Sequence, residues 1–185
     1  MPNTKKELFT EIPFLEGDDL LIKRIEDKDA PLLEELRNND KVYALEPTFL
    51  YERQFEDIHE AIKGMYEGPT FTNQESLILG IYPKATQEFA GIIELYGYRK
   101  DIRKISVGYR LLERYWGKGI ASKALSMMIR YLYEETHIEI ITASTMVDNK
   151  ASAKVLMKND FNLVVSAAEE DWGYEKPTLA DKWIR

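Results

Sequence analysis

Apolar positions along this chain alternate between two spacings. Residues 20–25 carry the polar–apolar alternation of a strand. Asp29-Ala30-Pro31 then reads as a helix start, a capping acid followed by proline in the first turn. Leu32, Leu33 and Leu36 give that helix an apolar stripe, and Asn38-Asn39-Asp40 ends it. Residues 42–51 are apolar and aromatic but irregular, with Pro47 blocking regular continuation. Ile58, Ala61, Ile62 and Met65 fall at helical spacing and predict a second helix over 55–67.

The middle of the chain changes character. Residues 76–82, 89–98 and 104–112 are rich in β-branched and aromatic side chains and predict three strands, the last two joined as a hairpin by the charged link 99–103. Residues 119–135 return to helical spacing, with Ala121, Ala124, Leu125, Met128 and Leu132 on one face. A buried strand is expected over 138–147. A helix capped by Asp148 or Asn149 then reaches about residue 159, and strands at 163–167 and 181–184 close the chain. The order β-αα-βββ-α-β-α-ββ predicts a mixed α/β (α+β) domain. With no repeat, low-complexity tract or Gly/Ser linker, one domain over 18–185 is expected after a loose lead-in, residues 1–17.

Composition narrows the chemistry. The 185 residues are 44% apolar, enough for a sizeable core. Cysteine is absent, which excludes disulfides, thiolate metal sites and cysteine nucleophiles. The net charge of −7 argues against nucleic-acid binding, which needs clustered Lys and Arg. It suits solubility and, weakly, a cationic partner. No apolar run is long enough for a membrane helix, and the N-terminus lacks a secretory signal pattern, so a cytoplasmic location is expected. His59 and His137 lack neighbouring ligands, so no metal site is expected.

One segment carries a phosphate signal. Arg114-Tyr115-Trp116-Gly117-Lys118-Gly119-Ile120-Ala121 lies between an expected strand and an expected helix. Glycines there let backbone N–H groups surround an anion, and a helix N-terminus adds free donors and a favourable dipole. A Walker loop fails because Lys118 is followed by Gly119 rather than Ser or Thr. A dinucleotide fingerprint fails because Ser122 stands where the third glycine belongs. What remains is R-x-x-G-x-G, formed by Arg114, Gly117 and Gly119 and preceded by the strand Val107-Gly108-Tyr109-Arg110-Leu111. About 30 residues on, Asn149-Lys150-Ala151-Ser152 follows a strand and opens a helix.

These two elements at this spacing resemble the GNAT superfamily of N-acetyltransferases, and most nearly its branch of ribosomal-protein N-terminal acetyltransferases. The resemblance covers most of the chain from Leu20, with its specific motifs between Ile105 and Phe161. It implies a mostly antiparallel central sheet flanked by helices and acetyl-coenzyme A as cofactor. The cofactor would be held by Leu111, Leu112, Arg114, Trp116, Gly117, Lys118, Gly119, Ile120 and Ala121, with Asn149 and Ser152 facing its arm. Three positions depart from the pattern. Asp160 replaces a glycine after the helix that Asn149 opens, Leu156 stands near the place of a thiolate-protonating tyrosine, and Ser106 replaces an acid before the Gly-Tyr strand motif.

The implied activity is transfer of acetyl to a primary amine, a protein N-terminus or a small molecule, by direct attack in a ternary complex. An amine attacks only when neutral, and α-amino groups have a pKa near 8 and lysine near 10.4, so a base is useful. Glu94, in the strand beside the cofactor strand, is the candidate base. Ser152 is the candidate donor to the leaving sulfur, with Asn149 beside it. A backbone N–H near Leu111 is the candidate oxyanion donor. Tyr43, Phe49, Tyr51, Tyr96 and Tyr98 are candidates to line the acceptor site. A non-catalytic acyl-coenzyme A sensor, another nucleotide-binding enzyme and an aromatic protein-binding scaffold are the competing readings. Both a monomer and a homodimer fit.

Overall fold

The computed structural model describes residues 4–185. Eight strands form one sheet in the order β1-β2-β3-β4-β5-β6-β8-β7. They are β1 (Leu15–Glu16), β2 (Leu20–Lys23), β3 (Ser76–Pro83), β4 (Gly91–Arg99), β5 (Lys104–Leu111), β6 (Ile140–Met146), β7 (Asn162–Glu170) and β8 (Thr178–Ile184). Every neighbouring pair is antiparallel except β5 and β6. A parallel pair needs a crossover, and α5 (Ile120–Glu135) supplies it. The other helices are α1 (Ala30–Arg37), α2 (Asp40–Tyr43), α3 (Ile58–Glu67), α4 (Pro69–Thr72) and α6 (Lys150–Lys158).

The apolar spacings form the core as expected. Leu33 and Leu36 of α1, Ala61, Ile62 and Met65 of α3, and Ala124, Leu125, Met128 and Leu132 of α5 are all buried. β3 is covered on both faces, which is why Leu77, Ile78, Leu79 and Ile81 form a nearly continuous apolar run. Burying a side chain such as Leu or Ile contributes roughly 1.5–3 kcal/mol, so helix-to-sheet contact dominates stability here.

Several boundaries differ from expectation, each for a local reason. Asp29 does not cap α1 with its side chain. Its carboxylate accepts instead from the N–H of Glu26 and the hydroxyl of Tyr82, fixing a 3-10 turn ahead of the helix. α3 begins at Ile58 because Asp57 caps it by accepting from the His59 N–H, and Phe55 packs on Tyr51 instead of joining the helix. Residues 99–103 make a 3-10 turn closed by Arg103 in the left-handed conformation. The first three residues of the expected lead-in lie outside the described residues. Within the rest of it, Leu8 and Phe9 are buried and Leu15–Glu16 adds a strand to the sheet edge. After α6, Asp160 takes φ +61°, the left-handed turn that a glycine ordinarily supplies, so the helix exit is kept without one.

Alternation along β5 fixes which face each neighbour covers. Tyr109 reaches Ser152 on α6, whereas Arg110 reaches Glu52 in the segment between α2 and α3. Successive strand residues point to opposite faces, so α6 and that segment lie on opposite sides of the sheet. The segment is clasped from the β7–β8 turn. The N–H of Thr48 donates to the Trp172 carbonyl at 2.9 Å, and the Tyr174 hydroxyl donates to the Glu46 carbonyl at 2.7 Å. Gly173, at φ +84°, permits this closeness, because a Cβ there would lie 1.9 Å from Thr48 Oγ1. Gly173→Ala should therefore destabilise the protein by about 1–3 kcal/mol, measured by urea unfolding, and should open residues 45–50 to proteolysis. Unchanged stability and protease resistance would mean that the clasp does not hold this segment.

Candidate active site

The sheet splits where the motifs converge. β5 and β6 pair only through Lys104 with Ile140, Ile105 with Ile141 and Ser106 with Thr142. Beyond that point β5 stays with β4 and β6 stays with β8. The gap between them opens a cavity of roughly 520 Å3, walled by Val107, Gly108 and Tyr109 on one strand and Ala143, Ser144 and Thr145 on the other. The Leu112 N–H donates to the Ala90 carbonyl of the segment leading into β4. Antiparallel ladders alternate, so the N–H groups of Leu111 and Tyr109 turn away from β4 and toward the gap.

The glycine loop follows directly from β5. Gly117 and Gly119 have φ of +69° and +76°, and nothing lies within 4 Å of where a Cβ would stand on either. Gly119 is the N-cap of α5 and offers no side-chain cap, so the N–H groups of the first turn face outward without a side-chain acceptor. This open, donor-rich cradle fits a pyrophosphate. The other expected cofactor residues divide. Ile120 and Ala121 are half-buried at the start of α5, and Lys118 lies over the Tyr115 ring. Trp116 braces the loop by donating from Nε1 to the Leu111 carbonyl at 2.9 Å, leaving the ring about half exposed. Leu112 is wholly buried, and Arg114 pairs with Glu35 of α1 at 2.5 Å. None of residues 112–121 lines the cavity.

Asn149 and Ser152 do line it. Asn149 Oδ1 accepts from the Ser152 N–H at 3.1 Å, which caps α6 and leaves the amide NH2 of Asn149 free to donate. Ser152 Oγ lies 3.0 Å from the Tyr109 hydroxyl. Burial pushes the Tyr109 phenol well above its ordinary value, so it remains a donor. Tyr109 thus brings a phenol to the region where Leu156, buried in the core, has none to offer. Ser106, in the place of the missing acid, is bonded to Thr142 Oγ1 at 2.8 Å and supports the last paired residues before the split.

On the opposite face the cavity floor is charged. Glu94 is 7% exposed. Its Oε1 accepts from Ser76 Oγ at 2.5 Å and its Oε2 from Arg110 at 3.1 Å. Gly108 stands opposite Glu94 across the β4–β5 pair, so no side chain covers the carboxylate there. Arg110 also forms a two-point pair with Glu52, at 2.5 and 2.7 Å, and Tyr43 donates to Glu52 at 2.5 Å. Burial opposes charge on both partners. The opposed charges outweigh it, holding Glu52 below the carboxylate range and Arg110 above its ordinary value. Of the aromatic candidates, Phe49, Tyr51 and Tyr96 line the cavity, whereas Tyr43 lies beneath it on Glu52. Tyr98 is corrected: it packs on Phe9 with its hydroxyl toward Glu7, because β4 carries it past the end of the cavity.

Three cavity-lining groups, Arg110, Tyr109 and Glu46, and the buried Glu52 beneath them escaped the sequence reading. Only Arg110 left a signal, since a cation inside an apolar strand demands a buried carboxylate. Glu46 sits on the clasped segment, and burial together with the nearby Glu52 and Glu94, only partly offset by Arg110, raises its carboxyl from 4.5 to about 8.

That shift has a stability consequence. In the unfolded chain Glu46 ionises near 4.5, whereas in the folded chain it keeps its proton to about pH 8. Between those values ionisation favours the unfolded chain, so the wild type loses stability as pH rises through the window and no more above it. Glu46→Gln should match the wild type below the window and gain on it within, by at most ~1.4 kcal/mol per pH unit. Thermal unfolding of both proteins from pH 4 to 9 measures this, and a constant difference would show that Glu46 ionises in the ordinary range.

Comparison with known proteins agrees with this architecture. Residues 19–162 match the acetyltransferase (GNAT) domain family. The chain is 28% identical over 153 residues to the uncharacterized N-acetyltransferase YoaA of Bacillus subtilis (strain 168), covering 80% of this chain and 82% of that one. Among solved structures, RimL, a ribosomal L7/L12 α-N-protein acetyltransferase, in complex with coenzyme A superposes with a TM-score of 0.78 at 18% identity, over 94% of this chain and 97% of that one. Spermidine N-acetyltransferase from Vibrio cholerae, in complex with coenzyme A and spermine, does so at 0.74 and 15%, over 91% and 96%. With the split sheet, the glycine cradle and a family match across most of its length, this chain belongs to the GNAT acetyltransferases, which use acetyl-coenzyme A.

Proposed function

We propose that this protein transfers acetyl from acetyl-coenzyme A to a primary amine by direct attack within a ternary complex. The observation that supports this is the split between β5 and β6, which opens a cavity lined by Asn149 and Ser152 at the start of α6 and by Glu94 on the opposite face. The first-turn N–H groups after Gly117 and Gly119 would hold the pyrophosphate, with Lys118 as counter-charge. The free amide of Asn149 would bond to the cofactor's arm. When bound, the cofactor supplies an activated acetyl thioester. A protein N-terminus and a small amine both remain within this reading, and RimL and the spermidine enzyme exemplify each among the fold neighbours.

The chain's own groups divide the work. Glu94 accepts a hydrogen bond from the amine, directly or through water, on the lone pairs that Ser76 and Arg110 leave free. This aligns the nitrogen for attack, and alignment supplies much of the rate without a covalent enzyme intermediate. The N–H groups of Leu111 and Tyr109, turned toward the gap, are suited to stabilise the oxyanion. Ser152, hydrogen-bonded to Tyr109, donates to the departing sulfur.

A thiol-release assay with acetyl-coenzyme A against a serine-terminated peptide, spermidine and benzylamine tests this. Release should require an amine, and Glu94→Gln should lower kcat by about 10²–10⁴-fold. Gly119→Val, which forces a branched side chain to φ +76°, should weaken coenzyme A binding by roughly tenfold or more, measured by calorimetry. Tight cofactor binding with no amine-dependent release would instead make the protein a sensor of acyl-coenzyme A.

A further inference from the structure

The acceptor side of the cavity contains more carboxylates than the mechanism above uses, and they are not equivalent. Glu52 is wholly buried with its oxygens taken by Arg110 and Tyr43. Glu94 has one bond on each oxygen. Glu170 is bonded to Lys182 and to Trp172 Nε1. Asp171 is exposed and caps the Gly173 N–H, and Glu75 is exposed. Glu46 differs from all of these. It lines the cavity, is partly sheltered from solvent, and its carboxylate has no hydrogen-bond or ion-pair partner among the described residues.

Its backbone, by contrast, is fixed. The Glu46 N–H donates to the Tyr43 carbonyl at 3.2 Å and its own carbonyl accepts from Tyr174. In its ionised form, a carboxylate beside a cavity with both oxygens unengaged is ready to take a proton from something that enters. The charges around it favour such a visitor. Arg110 is set against both Glu52 and Glu94, so this cluster keeps spare negative charge for an arriving ammonium group even while Glu46 is protonated.

We propose that Glu46 is the catalytic base of this enzyme, the group on which the amine's proton comes to rest, while Glu94 orients the amine. This rests on the acetyl-transfer reading above. The entering ammonium gives one proton to Glu46 in its ionised form, directly or through one water, and becomes a neutral amine. Its nitrogen pair forms the C–N bond to the acetyl carbon, and the C–S bond breaks with its electron pair passing to sulfur. The second nitrogen proton balances the thiolate, with Ser152 and Tyr109 as the nearby hydroxyls. Glu46 then returns its proton to solvent. Besides burial, Arg110 on β5, Glu94 on β4 and Glu52 between α2 and α3 act on the Glu46 titration, and the phenols of Tyr96 and Tyr109 lie near enough to feel its charge.

Two measurements decide it. The first needs no acceptor: carbon-13 NMR of protein labelled at the glutamate carboxyls, with the Glu46 signal assigned by its loss in Glu46→Gln. A signal that titrates near pH 8 supports the proposal, and one that titrates between 4 and 5 overturns it whether or not any amine is turned over. The second is the pH profile of kcat with a serine-terminated peptide. Glu46→Gln should lose about 10²-fold or more and flatten the acidic limb, Glu46→Asp should restore part of the rate, and coenzyme A affinity should stay at the wild-type value. A Glu46→Gln enzyme that keeps the wild-type limb and a kcat within about twofold of it overturns the assignment. A wild type that shows the high titration but acetylates no amine would count against the acetyl-transfer reading and leave Glu46 as a sheltered proton-holding group of the cavity.

Discussion

Backbone hydrogen bonding between the parallel strands β5 and β6 stops after three residue pairs, and the site follows from that stop. Beyond that point each strand keeps its antiparallel partner on the outer edge, β4 on one side and β8 on the other, and the inner edges diverge. The cost of the gap is a short run of main-chain groups without strand partners, a cost a folded protein bears where a ligand or water can satisfy them. Here the run includes the N–H groups of Tyr109 and Leu111. The opening also connects the two faces of the sheet, with Asn149 and Ser152 on one and Glu94 on the other.

Electrostatics on the acceptor face follows from burying one cation among several carboxylates. Arg110 is desolvated, and Glu52 and Glu94 compensate it from different parts of the chain. Removing one partner of such a cluster leaves an uncompensated buried charge, commonly about 3–5 kcal/mol. The pair with Glu52 therefore ties the segment between α2 and α3 to the sheet. Thr48 and Tyr174 tie the same segment to the β7–β8 turn. This segment is thus anchored at both ends, and Glu46, whose carbonyl is one anchor point, has no side-chain partner among the described residues.

Family membership and catalytic detail rest on different kinds of evidence. The glycine cradle and the capped start of α6 are local devices, each built from a few consecutive residues, and they recur wherever those residues recur. The acidic wall is built from residues far apart in sequence, and the three departures from the family pattern are met elsewhere in the fold. A left-handed Asp160 stands in for glycine, Ser106 bonds to Thr142, and the Tyr109 phenol comes close to Ser152 where Leu156 has none.

Whatever depends on local spacing was legible in the sequence. The apolar stripes of α1, α3 and α5, the three central strands, the loop at Gly117 and Gly119 and the cap at Asn149 all rest on contacts within a few residues or on a single periodicity. Glu94 was also placed on the strand beside the cofactor strand from pattern alone. The sequence did not reveal which face Arg110 takes, that Glu52 lies beneath it, or that Glu46 is partly sheltered with no side-chain partner among the described residues. Those facts come from long-range packing, because burial sets the strength of a charge and burial is decided by segments more than 50 residues away. Tyr98 was misjudged for the same reason. Its strand was read correctly, but only the folded sheet decides where along that strand the cavity ends.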